Sequence, residues 1–141
     1  MKAMLLVLAL IAGSAAAVYF WPAGGPYYPS ALYADPEGTR FTFLHEPVST
    51  ERGCRDITGK LAAQLRSRCA ACVREVRCPR TVGAEWLSAI ENRPVAGYSV
   101  RADKQRILVA GAQAAKVCAA LERQLRSRGL KDARCIAPGA S

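Results

Sequence analysis

Six cysteines in a chain of 141 residues constrain the fold more than any other feature of this sequence. All six lie beyond an uncharged N-terminal run, at positions Cys54, Cys69, Cys72, Cys78, Cys118 and Cys135. An even number of cysteines in a short exported chain is typical of a disulfide framework. The cysteines therefore predict one small domain that folds in an oxidising compartment and is held by three disulfides.

The N-terminal run carries no charged residue from Ala3 through Trp21. Its length is close to the roughly 20 residues that cross a bilayer, so residues 1–21 fit a signal anchor with Tyr19, Phe20 and Trp21 at the membrane interface. The alternative is a signal peptide cleaved near Ala17. The first alternative predicts a bacterial inner-membrane protein with its C-terminal domain in the periplasm. The second predicts a free periplasmic or secreted protein.

The remainder divides into a linker and a folded domain. Residues 22–38 contain four prolines and three glycines, which predicts an extended linker. Residues 39–141 then form the folded, disulfide-stabilised domain. Apolar spacing and turn residues predict the following elements: strands Arg40–Val48 and Cys72–Cys78, a helix from Thr50 to about Arg68, a short helix Gly83–Asn92, a hairpin of Tyr98–Ala102 with Arg106–Ala110, a helix Ala112–Arg128 and a strand Asp132–Ala137.

This order of elements predicts an α+β fold. If the short helix is set aside and the hairpin is counted once, two βαβ halves remain, as in the ferredoxin-like βαββαβ sandwich. Right-handed crossovers would place both long helices on one face of an antiparallel sheet. The sequence QLRSR at residues 64–68 recurs at residues 124–128, which also indicates two related halves.

The predicted topology also restricts the cysteine pairing. The start of each long helix and the end of the next strand lie at the same end of the sheet, so Cys54–Cys78 and Cys118–Cys135 can approach within disulfide distance. The remaining pair is Cys69–Cys72. Six cysteines allow 15 pairings, and this one is the prediction.

The net charge of +9 is the main remaining clue to function. Arginines near the ends of the two long helices, Arg66, Arg68, Arg126 and Arg128, are candidate contacts for a polyanion. The alternative to ligand binding is that these arginines form a solvated face that keeps a small protein soluble. The exported location and the lack of a basic surface with interleaved aromatic residues argue against nucleic acid.

The chain has no recognisable catalytic motif, so we expect no enzyme, no cofactor and no metal site. The one motif associated with a known chemistry, thiol–disulfide exchange, is Cys69-Ala-Ala-Cys72. In thioredoxin-like enzymes the attacking cysteine lies at a helix N-terminus, whereas this pair follows a helix C-terminus. A thiol–disulfide protein acting through Cys69 and Cys72 is therefore the alternative function.

Residues 106–137 resemble one half of a sporulation-related repeat (SPOR) domain. The resemblance consists of the turn Val109-Ala110-Gly111, the helix positions Ala114, Cys118, Leu121 and Leu125, the cap Gly129 and the strand Ala133–Ile136. It implies a ferredoxin-like fold, binding to peptidoglycan glycan strands and frequent attachment to a single-pass membrane protein. Residues and resemblance together predict a non-enzymatic, membrane-tethered envelope domain that binds a glycan or a protein partner.

Overall fold

A computed structural model of the chain describes residues 25–139. The predicted anchor, with its membrane contact through residues 3–21 and the cleavage position near Ala17, lies outside the described residues. Within them, no helix is long and apolar enough to cross a membrane.

The described chain is an α+β fold with one six-stranded antiparallel sheet and three α-helices, which confirms the predicted class. A short 3-10 turn, Ala70–Cys72, precedes the third strand. The other elements, in chain order, are β1 (Ser30–Ala34), β2 (Arg40–His45), α1 (Glu51–Arg68), β3 (Val73–Arg77), α2 (Ala84–Ile90), β4 (Tyr98–Ala102), β5 (Gln105–Ala110), α3 (Ala114–Ser127) and β6 (Arg134–Ile136).

Strand β1 corrects the prediction that residues 22–38 are an extended linker. Its five residues pair with β2 on one side and with β3 on the other, so β1 is an interior strand. Just ahead of it, Tyr27 exchanges two backbone hydrogen bonds with Val48, at 2.8 and 2.9 Å. Pro29 and Pro36 flank the strand without interrupting it. Because prolines are typical of turns and linkers, the sequence pattern does not predict a strand between them.

The sheet also differs from the ferredoxin-like plan. Its strand order is β3-β1-β2-β5-β4-β6, because the hairpin supplies two strands and β1 adds another. The first three strands with α1 form one ββαβ half, and the last three with α3 form another. The halves lie side by side, joined by β2 and β5, whereas ferredoxin-like halves interleave.

The recurrent QLRSR sequence occupies equivalent places in the two halves. It ends α1 in the first half and α3 in the second, and both serines make the same contact. Ser67 Oγ donates to Gln64 O at 2.7 Å, and Ser127 Oγ donates to Gln124 O at 2.8 Å. Sequence and structure therefore share one approximate two-fold relation, whose axis passes between β2 and β5.

The strand register assigns the helices to the two faces of the sheet. Residues paired across strands share a face, so Ala31, Phe43, Ile107 and Val100 form one row. Helix α3 packs on this helical face against Val100 and Ile107, and α1 covers β1 and β3 there. Helix α2 packs on the opposite face, where Leu44, Ala89 and Val95 form a second buried cluster.

The turn after β5 brings two backbone segments together at Gly111. Gly111 has φ +136°, and a Cβ added to it would lie 3.2 Å from Gly38 O and 3.3 Å from Thr39 Cα. Gly111→Ala is expected to lower the free energy of unfolding by about 1–3 kcal/mol, because an alanine is strained there and both neighbours are backbone. Urea denaturation measures the change.

Gly59→Ala is the matched control, since nothing lies within 4 Å of a Cβ at this position in α1. That variant should gain about 1 kcal/mol through helix propensity. If Gly111→Ala were as stable as the native chain, the close approach of the two segments would be refuted.

Candidate functional site

The six cysteines form three disulfides in the predicted pairs. Their Cα–Cα distances are 6.0 Å for Cys54–Cys78, 5.3 Å for Cys69–Cys72 and 5.5 Å for Cys118–Cys135. Two of the disulfides join a long helix to the strand region that follows it. Cys78 comes directly after β3, and Cys135 lies within β6. Cys54 and Cys118, the helical partners, have no solvent exposure. These two disulfides therefore belong to the core of each half.

The third disulfide closes the turn between α1 and β3. Cys69 is the C-cap of α1, and its N–H donates to Leu65 O at 3.1 Å. Cys69 is partly exposed and Cys72 is buried. The negative end of the helix dipole disfavours a thiolate at this position, in contrast to a reactive cysteine at a helix N-terminus.

The four arginines predicted to bind a polyanion differ in their surroundings. Arg126 is engaged within the domain, because its Nε donates to Ala133 O at 2.8 Å and its Nη2 lies 3.4 Å from Glu122 Oε1. Arg66, Arg68 and Arg128 are exposed, and they take part in none of the four ion pairs within residues 25–139. Arg126 thus stabilises the attachment of α3, and the other three are available for a ligand.

The four arginines lie at the ends of the two long helices. Arg66 and Arg68 lie in the last turn of α1, Arg126 lies in the last turn of α3, and Arg128 is the C-cap residue of α3.

Each long helix runs back along the strand that it follows, and β2 and β5 are antiparallel. Helices α1 and α3 therefore end at opposite ends of the sheet. Helices of 18 and 14 residues that run in opposite directions over the sheet are expected to hold Arg68 and Arg128 about 20 Å or more apart along the strand direction. The four predicted arginines form two separate groups, one at each end of the helical face.

Between these two groups lies a row of aromatic side chains on the helical face, formed by Tyr33, Phe41 and Phe43. The ring centroids are 6.0 Å apart for Tyr33 and Phe41, and 6.4 Å apart for Phe41 and Phe43. All three rings are partly exposed, because α1 packs mainly on β1 and β3, while α3 packs on β4, β5 and β6. Phe41 and Phe43 also pack against the buried cluster beneath α3, so the aromatic row borders that cluster on the helical face.

Sequence reasoning did not identify the aromatic row as a site. The alternation in residues 40–44 indicated a strand, and its two phenylalanines follow that alternation. The third ring, Tyr33, belongs to β1, which lies within the segment that the sequence predicts to be a linker. The row therefore forms through the β1–β2 register, in which Tyr33 pairs directly with Phe41.

The chain matches no protein-family model, no curated protein and no solved structure among those compared. The resemblance of residues 106–137 to half of a SPOR domain therefore remains a prediction.

Proposed function

We propose that this protein is a non-enzymatic cell-envelope domain, tethered to the bacterial inner membrane through residues 3–21, that binds an acidic glycan on its helical face. The observation that carries the proposal is the partly exposed aromatic row between two exposed arginines, Arg68 and Arg128. The tether and the periplasmic location are supported by the uncharged N-terminal run and the three disulfides.

The chemistry of an acidic glycan suits both parts of this surface. The faces of a sugar ring carry apolar C–H groups, which pack on flat aromatic rings, and Tyr33 adds a hydroxyl for hydrogen bonding. Guanidinium groups bind carboxylates through paired N–H donors. A ligand about 20 Å long could contact the aromatic row at its middle and one arginine at each end.

The test uses the full oxidised chain in a non-ionic detergent and a fluorescently labelled oligogalacturonate as the acidic glycan. We expect binding that weakens as salt rises, because exposed charges are screened. The double variant Arg68→Gln/Arg128→Gln should lose about tenfold in affinity, from up to about 1 kcal/mol per exposed contact. Phe41→Leu should also weaken binding, since it keeps apolar bulk but removes the flat ring.

Lys60→Gln/Arg123→Gln is the matched control, because it removes the same charge from exposed positions on the two long helices that are not assigned to the ligand. It should change the affinity by less than about threefold. Equal losses in the two double variants would refute the site. Equal binding of labelled dextran, a neutral glycan, would refute the acidic class, and selective pull-down of one envelope protein would favour a protein partner instead.

Thiol–disulfide exchange through Cys69 and Cys72 is the second candidate function, favoured by the partial exposure of Cys69. Mild reductant followed by alkylation separates the two functions. Selective and reversible labelling of these two cysteines, together with catalysed insulin reduction, would support exchange. Resistance of all six cysteines would support a structural role for the pair.

A further inference from the structure

On the face of the sheet opposite the aromatic row, a buried arginine lines a small cleft. Arg106 is 3% exposed, and its strand partner Leu44 belongs to the cluster under α2. The cleft is open to solvent, has a volume of about 20 Å³ and lies between the end of α2 and the β4–β5 hairpin. Its walls include Leu44, Ile90, Asn92, Arg101 and Lys104.

The guanidinium of Arg106 is only partly satisfied by the protein. Its Nε donates to Ser99 Oγ at 2.9 Å, and its Nη1 donates to Ala89 O and Asn92 Oδ1, both at 3.4 Å. Its Nη2 has no hydrogen-bond acceptor within residues 25–139. Trp86 Nε1 is the one fully buried side-chain polar atom without a partner among these residues, so Nη2 retains access to the cleft.

The positive charge of Arg106 also lacks a carboxylate partner. None of the four ion pairs within the described chain includes Arg106. Burial lowers the pKa of Arg106, and the neighbouring charge of Arg101 lowers it further. A buried cation without an ion-pair partner is costly, and an anion bound in the cleft would reduce that cost.

We propose that this cleft binds a single carboxylate group, which accepts hydrogen bonds from Arg106 Nη2. Arg101 and Lys104 favour an anion there, while Glu46 and Asp103 on the same walls weaken that attraction. The cleft is too small for more than the carboxylate end of a ligand, so any substituent would lie toward the solvent. This site is independent of the proposed glycan function, because it lies on the other face of the sheet.

The experiment titrates the full, oxidised, 15N-labelled chain in detergent with sodium acetate at constant ionic strength. We expect saturable shifts of the amides at residues 89–92 and 101–106, with a dissociation constant in the millimolar range. Sulfate should bind at least threefold more weakly than acetate, because a tetrahedral dianion is larger than a carboxylate group and costs more to desolvate in a small cleft. Arg106→Gln should abolish the shifts, and Arg123→Gln, an exposed change on α3, should leave them unchanged.

Arg106→Gln removes a buried group and can unfold the chain, so the native protein supplies a second criterion. Acetate shifts confined to other parts of the chain, or sulfate binding as tightly as acetate, would overturn the proposal without any variant. Arg101→Gln, an exposed change at the rim, should weaken acetate binding by about threefold. Unchanged binding in a folded Arg106→Gln variant would also overturn it.

Discussion

The double variant Cys118→Ala/Cys135→Ala is expected to unfold with a free energy about 3 kcal/mol below that of the native chain. The disulfide joins residues 17 apart, and a cross-link over such a loop removes conformational entropy from the unfolded chain worth about 3 kcal/mol. Guanidinium denaturation under non-reducing conditions, followed by tryptophan fluorescence, measures the loss.

Removal of each of the other two disulfides tests whether the loss of stability depends on the length of the loop that the disulfide closes. Cys54–Cys78 spans 24 residues, so its removal should cost at least as much as the loss of Cys118–Cys135. Cys69–Cys72 spans only 3 residues, and its removal should cost about 2 kcal/mol or less. If the short bridge proved the most stabilising of the three, the disulfides would not act mainly by restricting the unfolded chain.

The disulfide pairing could be predicted although the strand order could not. Both the ferredoxin-like plan and the observed sheet contain strand–helix–strand units with parallel outer strands. In either arrangement the helix start and the end of the following strand lie together, which brings Cys54 to Cys78 and Cys118 to Cys135. The pairing depends on each unit alone, whereas the strand order depends on how the two units meet.

Local signals also identified the beginning and end of the long helices. The predicted first helix begins at Thr50, and Thr50 is the N-cap of α1, where its Oγ1 accepts a hydrogen bond from Gly53 N at 3.0 Å. Gly129 was predicted to cap α3, and it adopts φ +98° just beyond that helix. Strand β1 was missed because turn-forming residues surround it, and its pairing partners are distant in the sequence.

Neither of the two proposed binding surfaces was predictable from local sequence pattern. The aromatic row depends on the register of β1 with β2, and the arginine cleft depends on where α2 packs. In residues 106–109, RILV, nothing marks Arg106 as buried. Its partners Ser99, Ala89 and Asn92 come from β4, the end of α2 and the residues just after it, which only the folded chain brings together.

Helix α2 occupies the chain segment between the two halves, and its packing suggests that it stabilises their junction. It packs on β2 from the first half and on β5 from the second. Leu44 of β2, 1% exposed, is buried beneath it with Ala89 and Val95. The disulfides Cys54–Cys78 and Cys118–Cys135 each join residues of the same half. They therefore do not stabilise the junction between the halves, whereas the packing of α2 does.

Leu44→Ala is therefore expected to lower the free energy of unfolding by about 3 kcal/mol, within the 2–5 kcal/mol typical of a buried leucine. Leu130→Ala is the matched control, because Leu130 is 36% exposed and should lose less than about 1 kcal/mol. Urea denaturation of both variants measures the difference. Similar losses in the two variants would contradict a packed junction beneath α2.

Combining Leu44→Ala with Cys118→Ala/Cys135→Ala tests whether the junction and the disulfide act independently. Leu44 and the Cys118–Cys135 disulfide lie on opposite faces of the sheet, so their effects should add to within about 0.5 kcal/mol. Each half would then retain its own stability, and α2 would contribute separately by holding β2 against β5. A combined loss well outside that sum would mean that the sheet transmits the disulfide constraint to the junction, and that the two halves do not behave as separate packing units.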